Sequence, residues 1–190
     1  MKYRILSIII LGLLASCTSD YPVERIDEFT LAQGGYLRTV LPYPVGNATF
    51  NVKASDLNGS KWDFLGEAVT PNGGDNFASY EWVVRFVDAT AANGSNSVAN
   101  KAFKTYQASA FTKDAQTGYP RLTMGSTGRE LVTAVGLQDN QVANGDRFEV
   151  SATMVLKDGR KFSAANTGAN IASNGNFYSS PFFYRINVVQ

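Results

Sequence analysis

The sequence predicts an antiparallel β-sandwich with one short helix, and three observations lead there. Several stretches alternate apolar and polar residues with a period of two, as half-buried strands do. Loops rich in Gly, Asn, Ser and Ala separate them at short intervals, the punctuation of an all-β domain. One stretch alone combines a helix start signal with a helical apolar face.

Taken in order, the first strand falls at 37–41. Ala48-Thr49-Phe50-Asn51-Val52-Lys53-Ala54 then alternates without a fault. Tyr80-Glu81-Trp82-Val83-Val84-Arg85-Phe86 sets Tyr80, Trp82, Val84 and Phe86 on one face. Further strands fall at 103–111 and 121–124. The longest, 147–156, points Phe148, Val150, Ala152, Met154 and Leu156 inward. It runs into Lys157-Asp158-Gly159-Arg160, and Asp-Gly between two such runs predicts a hairpin with a type I′ turn. The partner strand is 161–164, and 182–189 closes the chain. Loops are expected at 70–76, 90–100, 139–145 and 166–176. This gives seven to nine strands.

The helix is predicted over 128–135. Thr127 and Glu130 have capping-box spacing, each able to satisfy a backbone amide that the helix start leaves unpaired. Leu131, Val132 and Val135 share one face, and Gly136 supplies a C-terminal stop.

The N-terminus carries a different kind of information. Met1-Lys2-Tyr3-Arg4 is basic, 5–15 is apolar, and Leu14-Ala15-Ser16-Cys17 closes the run, the order of a bacterial export signal. A transmembrane helix needs about 20 apolar residues, and this run has 11. Leu14, Ala15, Ser16 and Cys17 resemble the lipobox of bacterial lipoproteins, which implies cleavage after Ser16 and acylation of Cys17. Cys17 is the sole cysteine, so the chain forms no internal disulfide, and acylation accounts for an odd thiol in an exported protein. The domains expected are a signal peptide over 1–16, an acylated cysteine and tether over 17–22, and a single sandwich domain over 23–190.

Cleavage removes Lys2 and Arg4, leaving 15 basic against 16 acidic side chains. That balance speaks against nucleic acid, which requires a basic stripe, and against purely electrostatic attachment to anionic lipid. Acyl chains would anchor the protein instead, each buried methylene contributing about 0.8 kcal/mol. Thr18 follows the cysteine where an aspartate would, in many Gram-negative bacteria, retain a lipoprotein in the inner membrane. The expected location is the outer membrane and its cell-surface face.

The chain contains no histidine, which excludes Ser-His-Asp and Cys-His nucleophile activation, histidine metal sites and the usual neutral-pH proton shuttle. Asn72-Gly73-Gly74-Asp75 lacks the lysine and spacing of a phosphate loop. Asp56-Leu57-Asn58-Gly59 begins like a calcium loop, with Glu67 at its twelfth position. Gly59 comes two places early, however, and Trp62 and Phe64 crowd the middle, so an Asx turn is the better reading. The acidic residues fall mostly at strand ends, in turns and on outward strand faces. No catalytic residue, metal or cofactor is expected, and the chain is not read as an enzyme.

Aromatic residues offer the remaining ligand surface. Trp62, between Lys61 and Asp63, could stack on a sugar ring or simply cover the end of the sandwich. Trp82 belongs to an alternating strand and is expected in the core. Among Tyr178, Phe182, Phe183 and Tyr184, alternate members are expected to pack inward.

Several segments together carry a family resemblance. They are Gly35-Tyr36-Leu37-Arg38-Thr39, the run from Arg129 to Leu137, Gly145-Asp146-Arg147-Phe148 leading to Asp158-Gly159-Arg160-Lys161-Phe162, and Phe177-Tyr178-Ser179-Ser180-Pro181-Phe182. These resemble small lipoproteins of Bacteroidota encoded beside SusC/SusD-type nutrient importers, loosely like SusE. The resemblance implies an immunoglobulin-like sandwich and an outer-membrane accessory role in nutrient uptake. It supplies no catalytic motif. Two functions follow as expectations: a non-catalytic subunit contacting a SusC/SusD-type importer, or a surface module binding glycan through Trp62.

Overall fold

The computed structural model describes residues 34–168, 171 and 182–190, which fall in the unit Gln33–Gln190. The described strands are β1 (Tyr36–Leu41), β2 (Phe50–Lys53), β3 (Lys61–Val69), β4 (Phe77–Val87), β5 (Val98–Gln107), β6 (Thr112–Lys113), β7 (Pro120–Thr127), β8 (Arg147–Leu156), β9 (Lys161–Ser163) and β10 (Phe183–Val189). The helix α1 spans Gly128–Val135. Ten strands exceed the expected seven to nine because β3 and the two-residue β6 were not anticipated.

One sheet has the order β1-β3-β7-β6. The other has the order β2-β10-β8-β4-β5, with β9 also paired to β8 beyond the end of β10. Relabelled, these are the A-B-E-D and G-F-C arrangements of an immunoglobulin-like sandwich, with β5 added beside C. The pairing is antiparallel with one exception. β2 lies parallel to β10, Phe50 opposite Ile186 and Val52 opposite Val188. The chain leaves the first sheet after β1 and crosses to the edge of the second, where it runs in the same direction as the last strand.

Alternation along each strand builds the core. β8 buries Phe148, Val150, Ala152, Met154 and Leu156, and β4 buries Tyr80, Trp82, Val84 and Phe86. β10 contributes Tyr184, Ile186 and Val188, and the opposite sheet answers with Leu37, Trp62, Phe64 and Met124. Burying each Val, Leu, Ile, Phe or Met side chain among them contributes about 1.5–3 kcal/mol relative to exposure. Phe182 and Tyr184 face inward while Phe183 between them is half-buried, the alternation expected for this run.

α1 begins as the sequence indicates. The Glu130 amide donates to Thr127 Oγ1 at 3.2 Å, and the Thr127 amide donates to Glu130 Oε2 at 2.8 Å. At the other end Gly136 is left-handed, and Leu137 N–H reaches the Val132 carbonyl at 3.1 Å, closing a Schellman motif. Leu131, Val132 and Val135 are buried, so the helix closes one end of the sandwich core.

The β8–β9 hairpin forms, but its turn differs from the type I′ expectation. Gly159 is left-handed at φ 86° while Asp158 is not. Gly159 N–H donates to the Leu156 carbonyl and Leu156 N–H to the Arg160 carbonyl, each at 2.9 Å. Three residues rather than two thus make the connection, with glycine at the one position that needs positive φ.

Candidate functional site

The predicted lipid-attachment residue Cys17 and its neighbours Leu14, Ala15 and Ser16 lie outside the described residues, as does Tyr178. Trp62 is described, and its burial does not fit sugar stacking. It is 2 % exposed on the inner face of β3, so its ring offers no face to a sugar. Its indole N–H donates to Ser126 Oγ at 2.8 Å across the β3–β7 pair. Phe50, Phe64, Trp82 and Tyr184 pack around it at centroid distances of 5.2–5.9 or, for Phe64, 6.0 Å. Burial likewise pushes the Tyr184 hydroxyl up to about 12, so this cluster holds no ionised group at neutral pH. The large apolar side chains exposed among the described residues are Leu41 and Tyr43, at and just after the end of β1.

The outward faces carry most of the organised charge, and both follow one plan. On the first sheet Arg38 (β1), Glu67 (β3) and Arg121 (β7) are register neighbours. Arg38 pairs with Glu67 Oε1, and Arg121 Nε donates to Glu67 Oε2 at 2.7 Å. Thr117 Oγ1 donates to the same oxygen at 2.8 Å, leaving Glu67 fully buried. Arg121 also reaches Asp114 Oδ2 at 2.8 Å. Backbone N–H donation from Thr117, then the Thr117 hydroxyl and the Arg121 charge, hold Asp114 below the usual carboxylate range. Charge on this face is balanced: two guanidiniums meet two carboxylates.

On the second sheet Arg85 (β4), Glu149 (β8) and Arg185 (β10) are register neighbours in the same way. Arg85 Nε donates to Glu149 Oε2 at 2.7 Å, and Arg147 Nε donates to Oε1 at 2.6 Å. Burial opposes ionisation of Glu149, but these two guanidiniums outweigh it and hold its carboxyl below the usual range. Arg185 Nε turns instead to Asn187 Oδ1 at 2.8 Å. Asn187 is fixed in turn by donating to the Asn47 carbonyl at 2.8 Å. This row therefore holds three arginines and one carboxylate, which pairs with two of them.

Sequence reading overlooked both rows. Their signal was the placement of Arg38, Arg85, Arg121, Arg147, Glu149 and Arg185 at outward strand positions. That placement becomes a site only when strand order and register are known.

Other polar groups serve the backbone. Asp56 Oδ1 accepts from Gly59 N–H at 2.8 Å, three residues on rather than the two of the expected Asx turn. Asp146, 1 % exposed, ties two loops by accepting from Ala89 and Ala143 amides and from Thr90 Oγ1, at 2.7–2.9 Å. Beside it, Asp88, Ala89, Thr90, Gly94 and Ser95 line an open depression of about 400 Å³. Among the described residues no cluster of three or more Cys, Asp or Glu has metal-binding spacing. The buried carboxylates are paired with arginines or backbone amides.

No protein-family model matches the chain, and no curated protein matches it.

Proposed function

We propose that this chain is a lipid-anchored, non-catalytic accessory protein of a SusC/SusD-like nutrient uptake system at the outer membrane, contacting protein through its sandwich. The observation that carries this reading is the N-terminal order of basic start, apolar run and Leu14-Ala15-Ser16-Cys17. The short segments resembling importer-associated lipoproteins give it its setting. Burial of Trp62 favours the protein-contacting role over glycan binding, because it withdraws the aromatic platform on which sugar stacking depended. A glycan-binding reading would now rest on Tyr43, 55 % exposed just beyond β1.

Affinity purification of the lipidated protein from solubilised outer membranes tests the assignment, paired with a glycan-array screen. Co-purification of an importer together with a blank array is the expected result. Robust glycan binding abolished by Tyr43→Ala, with no importer recovered, would replace it with the glycan-binding reading.

A further inference from the structure

We propose that the outer face of β4, β8 and β10 is a docking surface for an acidic protein segment, recognised by Arg85, Arg147 and Arg185. The argument starts from the unequal charge on that face. Each guanidinium carries five donors in a planar fork suited to carboxylate. Glu149 engages Arg85 and Arg147 with its two oxygens, and no carboxylate among the described residues pairs with Arg185. The row therefore presents two more positive charges than negative ones. It does so within a sequence whose overall charge is only +1.

The surplus is also held in place. Glu149 is 6 % exposed and grips Arg85 and Arg147 from beneath, while the Asn187 side chain, itself fixed to the Asn47 carbonyl, orients Arg185. Guanidiniums ordered before binding lose less rotamer freedom when a partner arrives. Arg85 keeps its side chain 52 % exposed and Arg147 27 %, so both remain within reach of a partner.

Composition and shape identify the occupant as protein. Half-buried Val83, Val87 and Phe183 interleave with the arginines on the same strand faces, and arginine mixed with apolar and aromatic side chains is the make-up of protein interfaces. The face is built from three adjacent central strands, and the described depressions lie elsewhere, at Asp88–Ser95 and around Lys61 and Glu130. A second copy of the chain fits poorly, because its opposite face is charge-balanced by Glu67 and Asp114 and offers no acidic surplus.

This proposal deepens the accessory-subunit reading and rests on it for its cellular partner, but its test is independent of that partner. The full chain in detergent would be titrated against a fluorescein-labelled peptide alternating Glu with Ala and Leu, read by anisotropy. A peptide with Lys in place of Glu serves as the control, and dextran sulfate as competitor. Saturable binding of the Glu peptide alone, weakening as salt rises, is expected. Arg185→Gln, which leaves the Glu149 pairs intact, should weaken binding about fivefold, the scale of one partly exposed ion pair. Arg85→Gln, which leaves Glu149 paired with Arg147 and lowers the surplus by one charge, should weaken it too.

Absence of Glu-peptide binding, or binding unchanged in both variants, would overturn the proposal. So would dextran sulfate binding the arginines more tightly than the peptide does, since a polysaccharide would then be the occupant. Peptide binding without importer capture would remove only the accessory-subunit reading, and importer capture without peptide binding only this face.

Discussion

The indole rings of Trp62 and Trp82 stack between the two sheets, their centroids 5.2 Å apart and their planes 21° from parallel. Trp62 comes from β3 of one sheet and Trp82 from β4 of the other, so this contact joins the layers directly. Both are 2 % exposed. Truncating either to Ala should therefore cost about 3–5 kcal/mol, read as a shift in the urea midpoint at unchanged slope. Trp62→Ala should also strand the Ser126 hydroxyl. A loss under about 0.5 kcal/mol at Trp62, the scale of a surface substitution, would contradict its place in the core.

That placement marks where the sequence was legible and where it was not. Strand β8 was readable to the residue, because five inward apolar positions alternate there without interruption. β3 was not read as a strand. Its inner face runs Trp62, Phe64, Gly66, Ala68, and Gly66 supplies no apolar side chain while Leu65 places one on the outer face. The glycine has a packing reason: a Cβ there would fall 2.4 Å from Met124 Cε and 2.6 Å from Leu37 Cδ2. Without β3, Trp62 had no inward strand position, and sugar stacking stayed open beside covering the sandwich end. β5 was shifted for a related reason. It begins at Val98, inside a polar stretch expected to be loop, and most of its early residues are exposed on a sheet edge where alternation carries no burial signal. The arginine rows needed register across three strands, which local periodicity does not contain.

The Arg85–Glu149–Arg147 cluster predicts an acid-labile contribution to stability. Glu149 titrates below its ordinary value of 4.5 in the folded protein. A depressed native carboxylate contributes stability that is full above the unfolded value and is lost as pH falls through the native one. Glu149→Gln should thus be less stable than the parent at pH 7, and the difference should shrink below pH 4.5 as the parent's carboxylate protonates. Urea unfolding of both proteins across that window checks it. A gap that stays constant with pH would show that Glu149 acts through packing alone.

The capping box makes a smaller, local prediction. Thr127→Ala removes the hydroxyl that accepts from the Glu130 amide, and should cost about 0.5–2 kcal/mol. Thr127→Ser keeps the oxygen and should restore most of it. Because Glu130 also pairs with Lys104 of β5 at 2.8 Å, the loss should exceed fraying of the helix alone. Hydrogen exchange at α1 and at the Lys104 end of β5 would show whether both loosen together. Protection lost in neither would contradict the coupling.

The anchor is tested at the residue on which the functional reading turns. Cys17 is the chain's one thiol, so a lipid attached through sulfur has a single possible site. In a bacterial host grown with labelled palmitate, the wild type should incorporate label and sediment with outer membranes. Cys17→Ser should remain an unlabelled precursor that keeps residues 1–16, because processing of this class of signal requires the acylated cysteine. Mass spectrometry of the N-terminus separates that outcome from ordinary secretion, in which the signal is removed and the body released. Two acyl chains, each contributing about 0.8 kcal/mol per buried methylene, make attachment stable where one chain gives only reversible binding. The mature wild type should therefore stay with membranes through a high-salt wash that strips proteins held by charge. Palmitate label in Cys17→Ser equal to the wild type would remove the lipobox reading, and with it the ground for an outer-membrane role.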